Sequence, residues 1–314
     1  MRMQSVLVTG GAGFIGSHLC DYLIEKNFKV ICLDNLLTGS KNNIEKLLQD
    51  GNFEFIETDV SSPLSLSSDV NFIFHLASPA SPVDYQNHPE ETLLANSLGT
   101  LNVLNLAKTG DAKVLIASTS EIYGDPLEHP QREKYYGNVN SFGPRSCYDE
   151  SKRFAEAATY VFIHKHRVDA RIARIFNTYG PRMQKDDGRV ISNFVNKALA
   201  NENVEVDGDG TQTRSFCFVS DMVEGLFKAM FSENTTGEIF NLGNPDEFKI
   251  KDLAEKILNM TGSKSSVKYT GVFRQDDPMR RQPDISKAKK ILDWEPKVGL
   301  TEGLKETVEY YKGS

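Results

Sequence analysis

A strand, a glycine-rich loop and a helix follow one another at the start of the chain, and this order constrains the fold most. The segment reads VLVTGGAGFIGSHL (residues 6–19), with Gly10, Gly13 and Gly16 three residues apart. Glycine at these places permits a tight turn, a close approach of the backbone to phosphate and close packing of helix on strand. Because free N–H groups at a helix N-terminus favour anions, the segment predicts a pyrophosphate site of a dinucleotide.

Asp34 supports the same interpretation, because it ends the second predicted strand, FKVICLD (28–34). An acid at this distance from the glycines bonds the ribose hydroxyls of NAD and repels the 2′-phosphate of NADP. No Arg follows it directly, since the sequence continues NLLTG. We therefore predict NAD as the cofactor; the alternative is a tight turn followed by a helix-capping Asp.

Apolar runs rich in β-branched residues recur through the first half of the chain. They are too continuously apolar for half-exposed strands, which favours a parallel sheet covered on both faces. Helical patterns at 16–26 and 89–108 separate them, so we predict an α/β fold with a doubly wound parallel sheet of the Rossmann type. The predicted strands are 5–9, 28–34, 53–59, 70–77, 113–119 and 170–177.

After about residue 178 this alternation loosens. The loops 179–189 and 208–221 are polar and rich in Gly and Arg. We predict an NAD-binding domain at 1–178 and a smaller C-terminal α/β substrate-binding part at 179–314, with later segments threading back into the sheet. The helices predicted in this part are 190–200, 221–231, 250–260 and 301–312.

Composition excludes several classes of function. The 314 residues carry a net charge of −7, which argues against nucleic acid or an anionic membrane as a partner. The four Cys lie far apart without a Cys-x-x-Cys pair, so we expect neither a zinc site nor a disulfide framework, and a reducing compartment. No targeting segment and no run of 18 apolar residues is visible. We therefore expect no bound metal, no membrane contact and a cytoplasmic location.

A tyrosine and a lysine four residues apart, in YDESK (148–152), would share one face of a helix. An ammonium beside a phenol stabilises the phenolate and lowers the Tyr pKa, which makes a usable base. Tyr22 and Lys26 have the same spacing, but a surface role suits that pair on the first helix. Tyr148 differs because it follows the fifth strand, which ends at Thr119.

Together, the glycine loop, Asp34, Thr119 and Tyr148-x-x-x-Lys152 resemble the extended short-chain dehydrogenase/reductase family. RIFNTYGPR (174–182) and RSFCFVSD (214–221) resemble later motifs of that family, so the resemblance covers essentially the whole chain. It implies that Tyr148 is the catalytic acid and base, that Lys152 holds the nicotinamide ribose and that Thr119 bonds the 4-hydroxyl of a nucleotide-sugar.

The resemblance also implies contacts to both ligands. Besides Tyr148 and Lys152, the expected NAD contacts are Gly10, Gly13, Phe14, Ile15, Gly16, Asp34, Asn35, Gly39, Asp59, Val60, Leu76 and Ala77. The expected nucleotide-sugar contacts are Pro79, Ser81, Tyr85, Asn177, Arg182, Arg189, Val190, Arg214 and Arg281. The arginines, with Arg280 also available, would meet the diphosphate; for any one of them a solvated surface position is the alternative.

Glu121, in STSEIYG (118–124), follows a strand that reads as buried, where an unpaired carboxylate costs several kcal/mol to desolvate. Family members that only epimerise need no such acid. The 4,6-dehydratases carry Asp-Glu after the Thr, whereas here Ser120 replaces the Asp, and a hydroxyl is too weak an acid for that role. The Ser-Glu pair is similar to the UDP-glucuronate decarboxylase group. A structural ion pair for Glu121 and a turn role for Ser120 stay open.

Three longer stretches resemble the same group: HLASPASPVDY (75–85), GNVNSFGPRSCYDESKR (137–153) and DDPMRRQPDISKAK (276–289). This resemblance implies NAD-dependent decarboxylation of UDP-glucuronate to UDP-xylose through a 4-keto intermediate, with the hydride returned. Glu121 with Ser120 would then reprotonate carbon 5, and Arg281 would face the sugar carboxylate.

Four alternatives stay open at this point. They are an oxidative decarboxylase that releases UDP-4-keto-pentose and NADH, a dehydratase, an epimerase, and a catalytically silent NAD-binding scaffold. The helix at 89–108 and the Tyr148 helix resemble the family's dimer-forming pair, so we also expect a homodimer.

Overall fold

The computed structural model describes residues 3–64, 66, 69–272 and 278–313. In this part of the chain the strands, in order, are β1 (Ser5–Thr9), β2 (Lys29–Asp34), β3 (Phe53–Glu57), β4 (Phe72–His75), β5 (Lys113–Thr119), β6 (Ala170–Ile175), β7 (Thr178–Tyr179), β8 (Val204–Val206), β9 (Thr213–Ser215), β10 (Cys217–Phe218), β11 (Ile239–Leu242), β12 (Glu247–Lys249), β13 (Val267–Tyr269) and β14 (Arg280–Arg281). The α-helices are α1 (Phe14–Glu25), α2 (Pro82–Asn87), α3 (Pro89–Leu94), α4 (Thr100–Gly110), α5 (Ser146–His166), α6 (Val190–Leu199), α7 (Val219–Phe231), α8 (Ile250–Thr261), α9 (Ser286–Leu292) and α10 (Leu300–Lys312).

Seven strands form one sheet in the order β3-β2-β1-β4-β5-β6-β11. Every neighbouring pair is parallel. Since the order reverses between β1 and β4, their carboxyl ends open the crevice in which ligands bind in doubly wound folds. The predicted Rossmann-type α/β sheet is confirmed.

The central strand β1 shows why its sequence is continuously apolar. Val6, Leu7 and Val8 are all fully buried. Val6 and Val8 belong to a core with Leu19 of α1, while Leu7 belongs to a second core on the opposite face, with Leu104 of α4. Because successive strand side chains point to opposite faces, a strand covered on both sides must be apolar at every position.

The helix predicted at 89–108 is observed as α3 and α4, joined by a π-helical segment at Ala95–Gly99. Pro89 occupies the first turn of α3, where its missing N–H is harmless. The helix α1 begins at Phe14, two residues earlier than predicted, because Gly13 serves as its N-cap. The sequence analysis did not predict α2, α9 or β11.

Beyond residue 178 the chain forms three small sheets as well as β11 of the main sheet. β7 pairs with β10, β8 pairs with β13, and β9 lies between β12 and β14. The helix α7 packs against α1 and against β6 of the main sheet. The division of the chain into two domains at residue 178 stays a prediction.

Two features are absent from the described residues. None of their helices combines the length and the apolar character that crossing a bilayer requires. Over the same residues, no group of three or more His, Cys, Asp or Glu side chains is arranged to hold a metal ion.

Candidate active site

A cavity of about 680 Å³ lies across the carboxyl ends of the central strands, where the order of the sheet reverses. Its size is that of a site for a sizeable small-molecule ligand. Its lining brings together all six predicted catalytic residues, Thr119, Ser120, Glu121, Tyr148, Lys152 and Arg281. It also includes the predicted cofactor contacts Gly10, Gly13, Phe14, Ile15, Gly16, Asp34, Asn35, Gly39, Asp59, Val60, Leu76 and Ala77. Of the predicted substrate contacts it includes Pro79, Tyr85, Asn177, Arg182, Arg189, Val190, Arg214 and Arg281.

Ser81 is the one predicted contact that the structure does not bring to the cavity wall. Its side chain is fully buried and caps α2, with Oγ accepting a hydrogen bond from the N–H of Asp84 at 3.0 Å. An N-cap serine satisfies a donor at the start of its own helix. Ser81 therefore holds α2, from which Tyr85 faces the cavity.

The glycine loop forms a cradle at the start of α1 whose backbone packs too closely for side chains at two positions. Gly10 has a φ of +72°, and a Cβ there would lie 2.8 Å from the backbone of Ala77. A Cβ on Gly16 would lie 2.1 Å from the carbonyl oxygen of Gly10. Glycine thus permits the tight turn and the close packing of α1, and Gly10, Gly13 and Gly16 line the cavity, which fits the pyrophosphate of a dinucleotide.

Asp34 ends β2 at the edge of this cradle. Its Oδ2 accepts a hydrogen bond from the N–H of Ala12 at 3.0 Å, and its Oδ1 accepts one from Leu36 at 2.8 Å. Burial raises the pKa of Asp34 above its usual value, and these backbone donors oppose the rise. A carboxylate fixed here at the cavity wall fits the ribose hydroxyls of NAD.

Tyr148 lies on the first turn of α5 and is buried at the cavity, where Tyr85 stacks on it with the ring centroids 5.1 Å apart. Burial raises the pKa of Tyr148 to about 12, although a hydrogen bond with Thr119 opposes the rise. The sequence predicted a lowered pKa from the neighbouring lysine alone. That prediction is wrong, because burial outweighs the other influences on the pKa of the phenol.

Lys152 lies one turn further along α5 and is also buried. Its Nζ donates a hydrogen bond to the carbonyl oxygen of Ala117 at 2.9 Å and lies 5.8 Å from the centroid of the Tyr148 ring. Burial lowers the pKa of Lys152 to about 7. The hydrogen bond to Ala117 holds the amino group of Lys152 at the end of β5, at the cavity wall beside the phenol.

Glu121 lies in the 3₁₀ turn Ser120–Tyr123 that follows β5, and two guanidinium groups hold its carboxylate. Nη1 of Arg281 donates to Oε1 at 2.8 Å, and Nη2 of Arg145 donates to Oε2. Burial alone would raise the pKa of Glu121, but Arg281 and Arg145 outweigh it and lower that pKa to about 2. Glu121, whose role the sequence did not decide, is thus an ionised carboxylate in a partly buried ion-pair cluster.

Ser120 belongs to the same cluster. Nη1 of Arg281 also donates to its hydroxyl at 3.0 Å, and Nη2 of Arg281 donates to the carbonyl oxygen of Gly124 at 3.0 Å. Arg281 comes from β14, so the end of the main sheet and the later part of the chain meet at this arginine. Asp276 and Asp277, which begin the stretch that contains Arg281 in the sequence analysis, lie outside the described residues.

Sequence reasoning missed Arg145 and Asp149. Arg145 lines the cavity and precedes α5 directly, three residues before Tyr148. Asp149 is buried behind it, with Oδ2 at 4.0 Å from Nε of Arg145, and burial raises the pKa of Asp149 to about 7. Both lie in the stretch 137–153 quoted above, but nothing in the sequence shows which way their side chains point.

The other predicted cations differ in how they are held. Arg182 is paired with Asp21 of α1 at 2.6 Å, and Arg189 with Asp187 at 2.8 Å. Arg214 donates to the carbonyl oxygen of Thr213 at 2.8 Å. All three arginines line the cavity, whereas Arg280 is exposed and lies away from it.

The chain is similar in sequence to known proteins. The family model described as GDP-mannose 4,6 dehydratase matches residues 7–307. UDP-glucuronic acid decarboxylase 6 of Arabidopsis thaliana is 54% identical over 301 residues, which are 95% of this chain and 86% of that protein.

Solved structures of similar fold carry nucleotide-sugar ligands. The UDP-glucose 4-epimerase of Thermotoga maritima, solved with UDP-glucose, is 31% identical with a TM-score of 0.90 over 99% of each chain. The UDP-glucuronic acid 4-epimerase of Bacillus cereus, solved with UDP-glucuronic acid and NAD, is 27% identical with a TM-score of 0.88 over 99% of each chain. The chain belongs to the extended short-chain dehydrogenase/reductase family and, within it, to the group of the UDP-glucuronic acid decarboxylases.

Proposed function

We propose that the protein catalyses the NAD-dependent decarboxylation of UDP-glucuronate to UDP-xylose, with the hydride returned and no net redox change. The observation that carries the proposal is the cluster of Ser120, Glu121 and Arg281 at the end of β5, beside Tyr148. An epimerase needs only to remove and return a hydride at carbon 4, so it has no use for a carboxylate that directs a proton to carbon 5. The identity to UDP-glucuronic acid decarboxylases supports the same reaction.

The cradle at the start of α1 and the carboxylate of Asp34 fit NAD, whose pyrophosphate and ribose they would hold. When bound, NAD supplies the acceptor for the hydride of carbon 4 and the donor that returns it. Lys152 would hold the nicotinamide ribose from the end of β5. Arg182, Arg189 and Arg214 would meet the diphosphate of the nucleotide-sugar, since all three face the cavity.

Tyr148 and Thr119 would carry the chemistry at the 4-oxygen. Tyr148 must first lose its own proton, which the positive charges of Lys152 and of the nicotinamide would favour against the effect of burial on its pKa. Its phenolate then takes the proton of the 4-hydroxyl as carbon 4 is oxidised, and the sugar becomes a β-keto acid. The bond between carbon 5 and the carboxylate then breaks, carbon dioxide leaves, and the electron pair moves onto the 4-oxygen as an enolate. The phenol and the hydroxyl stabilise that charge, and Tyr148 later returns its proton to the 4-oxygen.

Arg281, Ser120 and Glu121 would serve carbon 5. The guanidinium of Arg281 meets the sugar carboxylate, but a hold that is equally firm throughout would not speed its loss, so only preference for the transition state helps the rate. One proton must replace the carboxylate on carbon 5 in each turnover. Because Arg281 and Arg145 hold Glu121 ionised, we infer that Glu121 and Ser120 direct this proton to carbon 5 through a water molecule.

The test is to incubate the purified protein with UDP-glucuronate and NAD, and to follow products by mass and by absorbance at 340 nm together. We expect UDP-pentose without a build-up of NADH. UDP-4-keto-pentose with one NADH per product would move the protein to the oxidative branch. A sugar of unchanged mass would contradict the proposal and favour an epimerase or a silent scaffold. Turnover of UDP-glucose would indicate a dehydratase.

We further propose that the protein acts as a homodimer. Leu93 and Leu94 of α3, Leu98 of the π-helical segment, and Phe154 and Val161 of α5 are exposed. These helices pack side by side, so the apolar side chains lie on neighbouring elements rather than singly, as at a protein interface. The occupant that we propose is the same face of a second copy, because such self-complementary pairing forms most homo-oligomers.

We also propose a cytosolic location. It is supported by the cysteines, since Cys20, Cys32, Cys147 and Cys217 are all free thiols, as is usual in a reducing compartment. Fractionation of cells that produce the protein would test it, and recovery in a membrane or oxidising compartment would contradict it.

A further inference from the structure

Arg145 and Arg281 hold opposite oxygens of one carboxylate. Arg281 donates to Oε1 of Glu121 and Arg145 donates to Oε2. The two guanidinium groups reach Glu121 from different parts of the chain, because Arg281 lies on β14 and Arg145 lies directly before α5. The carboxylate is therefore fixed from two sides, and loss of one hold leaves the other.

The backbone ties Arg145 to the catalytic helix. Its carbonyl oxygen accepts the N–H groups of Tyr148 and Asp149, each at 3.0 Å. On the far side of its guanidinium, Oδ2 of Asp149 lies 4.0 Å from Nε, and Oδ1 of Asp149 has no hydrogen-bond partner among the described residues. The start of α5 thus carries the phenol, and Arg145 directly before it holds the carboxylate at the end of β5.

Arg281 donates hydrogen bonds to several groups besides Glu121. It donates to Ser120 and Gly124 as well as to Glu121. Under the function proposed above it must also meet the sugar carboxylate, and two carboxylates that share one guanidinium repel each other across it. Its Nε has no hydrogen-bond partner among the described residues and can donate to the sugar carboxylate, whose charge then weakens the attraction between Arg281 and Glu121. Arg145 holds the other oxygen, so it can keep the carboxylate in place while Arg281 meets the substrate.

We propose that Arg145 is a positioning residue, which keeps the carboxylate of Glu121 at the end of β5 while Arg281 engages the sugar carboxylate. With Glu121 fixed, carbon 5 receives its proton from one face only and before the 4-keto product can leave. This inference rests on the proposed function, and it assigns to Arg145 no contact with the reacting atoms.

The experiment compares the wild type, Arg145→Gln and Arg145→Lys with UDP-glucuronate and NAD in deuterium oxide. The readouts are the ratio of NADH to UDP-xylose formed and the position of deuterium on carbon 5, measured by nuclear magnetic resonance. The wild type should place deuterium at one of the two positions. Arg145→Gln should raise the ratio at least about tenfold, as expected for one lost charge-assisted hydrogen bond, and spread deuterium over both positions. Arg145→Lys should lie between them, because an ammonium keeps the charge without the fork of donors.

The matched control is Arg167→Gln, which removes an exposed arginine directly after the other end of α5. It should behave as the wild type in both readouts. The inference is overturned if Arg145→Gln keeps the wild-type ratio and places deuterium at one position only, even if its overall turnover has fallen. If Arg145→Gln does not fold, the same result in Arg145→Lys overturns the inference. A wild type that forms no UDP-pentose would instead overturn the proposed function, so the two failures are distinguishable.

Discussion

Glu121→Gln tests the site most directly, because it keeps the shape of the side chain and removes its charge. In the wild type the carboxylate meets Arg281 and Arg145 in a partly buried place. An amide carries no charge, so both guanidinium groups would lose the anion that they share. We therefore expect one substitution to affect both the stability of the protein and the later steps of the reaction.

The size of the stability effect follows from the pKa. The two arginines lower the pKa of Glu121 from 4.5 to about 2. Such a difference between the folded and unfolded protein corresponds to about 3 kcal/mol at neutral pH. Because the folded-state pKa is the lower one, this contribution is complete above about pH 5 and is lost as the pH falls toward 2. By about pH 3, less than half of it should remain.

Two assays measure these effects. Urea unfolding at pH 7 and at pH 3 should show a difference of about 3 kcal/mol between wild type and Glu121→Gln that shrinks at the lower pH. With UDP-glucuronate, formation of UDP-xylose should fall at least ~100-fold, whereas the first formation of NADH should fall much less.

The matched control is Glu150→Gln, since Glu150 is only half-buried on α5 and its Oε2 lies 3.6 Å from Nε of Arg153. A surface pair of this kind contributes less than ~1 kcal/mol. Our reasoning is refuted if Glu121→Gln destabilises the protein no more than the control does. Equal losses of NADH formation and carbon dioxide release would refute the role of Glu121 at carbon 5.

Three further predictions concern the phenol, the buried ammonium and the exposed apolar face. Tyr148→Phe should lower turnover at least ~100-fold while NAD still raises the melting temperature, and near-normal turnover would remove the phenol from the mechanism. Lys152→Met should raise the melting temperature of the protein without ligand and should lower its turnover. Burial lowers the pKa of Lys152 to about 7, and a methionine avoids the cost of burying a charged group. A lower melting temperature would contradict this prediction. Leu94→Arg combined with Phe154→Arg should give a monomer by light scattering, since unpaired charges oppose burial; a dimer of unchanged stability would exclude this face as the interface.

Local patterns were enough to predict the sheet and the glycine loop. The strand, loop and helix at 6–19 carry their information within a few residues, and six of the seven main strands stand out as apolar runs. β11 did not, because Ile239–Leu242 contains the polar Asn241 and follows Glu238, so no continuous apolar run marks it. The lowered pKa expected for Tyr148 failed for a related reason, since the sequence gives the spacing to Lys152 but not the degree of burial.

The ion-pair cluster shows where sequence reasoning ends. Glu121 and Arg281 are 160 residues apart, and resemblance to a family, not any local pattern, brought them together in the analysis. Arg145 is close to Tyr148 in the chain, yet its direction depends on how α5 packs against β5. Contacts that depend on two elements meeting in space leave no trace in the spacing of residues along one of them.

The late position of β11 in the chain has a consequence for synthesis on the ribosome. Its residues 239–242 pair with β6, which ends at Ile175, so more than 60 residues must be added before the sheet receives its last strand. During that interval the outer edge of β6 offers unpaired backbone N–H and C=O groups, which invite association with other nascent chains. We therefore expect that pausing of translation between these two strands favours aggregation more than pausing after residue 242.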